Sequence, residues 1–121
     1  MKNFKNIAFG LMIGALAIGF SAFTNANKSG MSVKRDANGK ILSVTATYFR
    51  LPAHASSSTD LTASDYIFSD GALADCNQGT NNICKSEWST TNMPSDGQSP
   101  VDAGSPTFVS NDSQQGIYNG Q

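Results

Sequence analysis

Histidine occurs once in the 121 residues, at His54, and tryptophan once, at Trp88. Cysteine occurs twice, at Cys76 and Cys84. These scarcities remove whole classes of chemistry. A structural zinc site takes about four Cys or His ligands, and neither His54 nor the acids complete such a set. A thioredoxin-type redox centre needs Cys-x-x-Cys, and seven residues separate Cys76 from Cys84. Ser–His catalysis would need His54 to serve a nucleophile. The chain has no Gly-x-Ser-x-Gly elbow, and nothing in its sequence orients the imidazole. No catalytic, cofactor-binding or metal-ligating residue is therefore assigned. The expectation is a chain that is not an enzyme, carries no cofactor and has no nucleic-acid partner.

Charge is scarce too, and its distribution is informative. Lys2 and Lys5 are followed by 17 uncharged residues, Ile7 to Phe23, and then by Thr24-Asn25-Ala26. A basic start, an apolar run and a small-residue end make a secretory signal peptide over residues 1–26. The basic residues stay on the cytoplasmic side while the run enters the bilayer. Gly10, Gly14 and Gly19 weaken the run as a helix, and it is at the short edge of what spans a membrane. Cleavage is expected between Ala26 and Asn27, with small Thr24 three positions from the bond. No cysteine lies near that junction, so this is not a lipoprotein signal. The alternative is an uncleaved anchor.

Asn27 to Gln121 is 95 residues, enough for one small domain, but only 15 of them are Leu, Ile, Val or Phe. That is below the level of a generous core. Net charge over this stretch is −3, six Lys/Arg against nine Asp/Glu, too small to force disorder by repulsion. Five of the six cations lie in residues 27–50 and eight of the nine acids after residue 50. Such a basic head has the charge to be drawn towards anionic lipid or glycan. The preferred reading is the plainer one, that the halves attract each other or that their charges are merely solvated.

The best-patterned segment is 31–50. Met31 to Arg35 and Ile41 to Arg50 flank Asp36-Ala37-Asn38-Gly39-Lys40, and Asn-Gly is the strongest short hairpin signal. A type I′ turn at Asn38-Gly39 sets Ala37 against Lys40, Arg35 against Leu42, Val33 against Val44 and Met31 against Ala46. Met31, Val33, Leu42, Val44, Ala46 and Tyr48 then share one face, and Ser43, Thr45 and Thr47 the other. An isolated hairpin is marginal in water, so later residues must cover the apolar face.

Leu51-Pro52 ends the strand, and Ala53 to Asp60 reads as a loop. Asp60, Asp65, Asp70 and Asp75 recur every five residues, but four repeats make only one coil of a solenoid, which cannot bury its faces. Calcium loops alternate ligands every second residue, which also fails here. Tyr66 to Ser69 reads as a short strand with a turn at Asp70-Gly71. Cys76 and Cys84, both in the exported part, are expected to pair with each other. Closing so short a loop is worth ~2–3 kcal/mol on the chain-entropy estimate. Trp88 is a core or binding aromatic, core being the commoner fate. Ser89 to Gln121 is polar and broken by Pro94, Pro100 and Pro106. Thr107-Phe108-Val109 and Gly116-Ile117-Tyr118 remain as brief strands to add to the sheet, the rest being irregular or disordered.

Taken together, Ala17-Ile18-Gly19-Phe20-Ser21-Ala22-Phe23, then Tyr48-Phe49-Arg50, Tyr66 and the Cys76…Cys84 loop resemble a class of short exported proteins of Bacteroidota of unknown function. The resemblance implies export and a cysteine-bridged small domain, and transfers no catalytic residues.

The expected fold is a small β-rich, loop-rich domain stapled by one disulfide, behind an N-terminal signal helix. The domain spans 27–88, with a hairpin at 31–50 and the cysteine loop at 76–84. Residues 89–121 form an irregular or partly disordered tail. The expected role is structural or binding at the cell envelope, with an envelope protein or glycan as partner and membrane contact only through the signal segment before cleavage. The destination is periplasm, cell surface or medium. A second class is a secreted peptide precursor, a signal or bacteriocin-like toxin, processed from this chain.

Overall fold

The computed structural model describes residues 30–71, 75–77, 79–112 and 114–120. The signal segment 1–26 and the Ala26–Asn27 bond lie outside the described residues.

Five strands form one antiparallel sheet: β1 (Met31–Arg35), β2 (Ile41–Arg50), β3 (Tyr66–Ile67), β4 (Lys85–Thr90) and β5 (Thr107–Asn111). Their order is β1-β2-β4-β5. Phe49 pairs with Ile67 on one side and Lys85 on the other, so β3 prolongs the β1 edge along the far end of β2. Short 3₁₀ turns at Pro52–His54 and Ala63–Asp65 shape the link between β2 and β3.

The hairpin has the expected long-range register and a different turn. Met31 faces Ala46 and Val33 faces Val44. Asn38 does not take positive φ; among the turn residues only Gly39 does, at +83°. The Gly39 N–H donates to the Asp36 carbonyl at 3.0 Å, and the Asp36 N–H to the Lys40 carbonyl at 2.9 Å. This is a type I turn closed by a left-handed glycine, not type I′. The Asp36 carboxylate selects it by accepting from the N–H groups of Asn38 and Lys40, both at 2.9 Å. The longer loop puts Arg35 opposite Ile41 rather than Leu42. One residue must then bulge to recover the Lys34–Ser43 pairing, and that residue is Leu42. It is 59% exposed, where the alternating pattern places it in the core.

Alternation does hold along the rest of β2 and β4. Val44, Ala46, Tyr48 and, opposite them, Thr90, Trp88 and Ser86 are all buried on one face. Small Ala46 opposite large Trp88 lets the indole lie across the strand pair. Tyr66, Phe68 and part-buried Ala63 from the β2–β4 link close over this face. The core is therefore aromatic: Tyr48 meets Phe68 edge-on at 5.7 Å, and Trp88 contacts Tyr66 at 5.3 Å and Phe108 at 5.5 Å. Such pairs add ~0.5–1.5 kcal/mol each beyond their buried area. The shortage of aliphatic residues is met by aromatic ones.

The chain beyond Trp88 belongs to this sheet. β5 pairs with β4 through Trp88–Phe108 and Ser89–Thr107. Between them the proline-rich run packs as a cover, with Pro94, Pro100 and Ala103 buried. It is tied to the core backbone by Phe68 N–H to Gln98 O and Gly97 N–H to Phe68 O, at 2.7 and 2.9 Å.

Candidate functional site

Three features have the chemistry for a role: the ionised cluster at the end of β2, the disulfide lobe and the open face of the sheet.

The cluster starts from alternation. Arg50 follows Val44, Ala46 and Tyr48 at two-residue steps and so points inward, where it is 5% exposed. An inward guanidinium needs acceptors. The β2–β3 link curls to supply them: the carbonyls of Ser56 and Ser58 at 3.0 and 2.9 Å, and the Asp60 carboxylate at 3.4 Å. Burial works to raise the Asp60 carboxyl. The Thr62 N–H and side chain, the Asp65 side chain and Arg50 outweigh it and hold Asp60 below the usual carboxylate range. Tyr66 Oη donates to the Asp60 carbonyl at 2.9 Å and accepts from Ser86 Oγ at 3.3 Å. Burial pushes its phenol up, so it stays protonated.

His54 lies at the rim, 3.2 Å from Asp65. That contact joins the two 3₁₀ turns beside the Asp60–Arg50 pair. Two hydroxyls close to His54 in the chain, those of Ser56 and Ser58, bond each other at 3.0 Å. The arrangement is a clip that pins the link to the end of the sheet. Sequence reading noted Arg50 only as part of a strand motif and missed its pairing with Asp60. The signal was its place on the apolar face.

On the opposite face, Phe49 leads a second apolar cluster with Cys76, Cys84, Tyr118 and part-buried Ile67. Cys76 and Cys84 form the expected disulfide, with Cα atoms 6.1 Å apart. Residues 115–119 thread along the bridged loop, Cys76 pairing with Tyr118 and Ile83 with Gln115. The Phe49 and Tyr118 rings lie 4.6 Å apart, and the Lys85 ammonium sits 5.1 Å over Phe49. Gly116 is required where this segment crosses the loop: its φ is +145°, and a Cβ there would overlap the Asn77 carbonyl. The exposed Asp75 carboxyl is held low by the Cys76 N–H and the Gln114 side chain.

No family model matches the chain. Neither a curated protein nor a solved structure matches it.

The remaining part of that face is polar. Ser32, Thr45, Ser89 and Thr107 form one row across four strands, each paired with the next. Lys34 faces Ser43 beside it. Among the described residues no group of three or more His, Cys, Asp or Glu could hold a metal ion. Among them, too, no helix is long and apolar enough to cross a membrane.

Proposed function

We propose that the chain is a small exported domain of the cell envelope, acting as a binding or structural element rather than a catalyst. The observation that carries this reading is the Cys76–Cys84 disulfide set within the second apolar cluster. A bridge with a packing role needs an oxidising compartment to form and persist. The leader-like residues 1–26 supply the route, with release between Ala26 and Asn27 leaving four residues before β1. The ionised cluster is consistent with a structural role, because its acceptors hold the β2–β3 link. An intact domain is favoured over a peptide precursor because trimming the polar residues beyond Trp88 would remove β5 and the segment along the disulfide.

The test is fractionation of producing cells with intact masses taken with and without reductant. The expected species begins at Asn27, lies outside the cytoplasm and is two hydrogens lighter before reduction. A full-length chain with free thiols in the membrane fraction overturns the reading.

A further inference from the structure

We infer that the β1–β2 hairpin tip is a docking surface for an anionic lipid bilayer, with Leu42 as its apolar anchor. This rests on the envelope reading and names the partner. Lys34, Arg35 and Lys40 are exposed at the tip, and no ion pair engages them among the described residues. The Arg50–Asp60 ion pair lies at the other end of β2. Mutual attraction between basic head and acidic remainder therefore leaves the tip unneutralised. The one acid of the tip, Asp36, turns its carboxylate onto the N–H groups of its own turn. Beside these cations the bulge sets Leu42 outward.

The other exposed large apolar residues among the described ones are Leu61, Met93, Val101 and Val109. Each has an acid within three residues: Asp60, Asp96, Asp102 and Asp112 respectively. Among the described residues only Leu42 combines apolar exposure with a cation and no acid within three residues of it in the chain, so an anionic surface selects the hairpin tip. A leucine in the same hairpin tip as three exposed cations suits a lipid interface, where the side chain enters the headgroup boundary while cations meet phosphates. A soluble polyanion would draw on the charges alone.

The test is co-sedimentation with vesicles of phosphatidylcholine alone and of phosphatidylcholine with phosphatidylglycerol, alongside binding to dextran sulfate. Wild type and variants carry the same N-terminus, so any contribution of residues 1–29 cancels in the ratios. Trp88 fluorescence and an intact mass showing the disulfide verify folding. Binding should require phosphatidylglycerol and weaken with salt. K34Q/R35Q/K40Q should lower it about 100-fold, at about fivefold per cation. Leu42→Ser should lower it at least about threefold on vesicles and leave dextran sulfate binding unchanged. Equal binding to both vesicle types, no vesicle binding, or vesicle binding indifferent to Leu42→Ser each overturns the inference. Export is read by fractionation and the tip by these ratios, so the two can fail separately.

Discussion

The buried Arg50 guanidinium gathers two backbone carbonyls and one carboxylate. Methionine there keeps the apolar stem and removes the charge. Arg50→Met leaves the Asp60 carboxylate and two carbonyls without their donor. The expected loss is about 2–4 kcal/mol, seen as a lower urea midpoint with unchanged slope. Its partner sets the acid limb of stability. The Asp60 carboxyl has a folded pKa below its unfolded value. Such a group stabilises the fold above the unfolded pKa, and that stability is lost as pH falls through the folded one. Asp75 and Asp102 are shifted the same way, the latter by the N–H and hydroxyl of Ser99. Unfolding free energy should therefore decline only below about pH 5, and Asp60→Asn should make that decline shallower. A decline already under way above about pH 6 would count against the carboxylates as its source. At the alkaline end, burial raises the Tyr48 and Tyr66 phenols. Their stabilising share is full below about pH 10 and is lost as pH rises through the folded values.

At the level of elements, the hairpin turn separates two backbone geometries by mutation. Only Gly39 takes positive φ, and nothing lies within 4 Å of a Cβ placed there. Gly39→Ala should cost about 1 kcal/mol from backbone strain alone. Asn38→Ala should cost under about 0.5 kcal/mol, whereas a type I′ turn would penalise both. Thermal unfolding of the two single variants decides between them. This element also shows what the sequence discloses. Period-two alternation determined the pairing of Met31 with Ala46 and Val33 with Val44, because a one-residue slip would expose every apolar side chain. It did not determine the turn, since Asp36 to Lys40 accommodates either geometry and the choice falls to one carboxylate. Leu42 was misplaced for the same reason: the bulge compensates a loop length that hydrophobicity does not encode. The burial of Trp88 was expected. So was that of Tyr48, by its place in the alternation; Tyr66 and Tyr118 as core residues were not, because a count of Leu, Ile, Val and Phe leaves out tyrosine rings that bury as much area.

For the molecule as a whole, two apolar clusters back opposite faces of one sheet, and the disulfide lies in the smaller. Replacing both cysteines by serine, Cys76→Ser with Cys84→Ser, should remove ~2–3 kcal/mol and lower Tm by about 10–20 °C. Hydrogen exchange should then rise first in 75–77 and 114–120, which the bridged loop holds, and only later in β2 and β4. Equal acceleration throughout would mean that the two clusters unfold as one unit. The strand order has a further consequence, one of timing. The central pairing joins Val44 to Thr90, and the outer strand ends at Asn111. Early in the chain only the hairpin can close, and a lone hairpin is marginal. Its partner strand is reached after a long contour, which makes for slow folding. Any machinery that takes up this polypeptide from its N-terminus meets an open, threadable chain until nearly all of it has emerged.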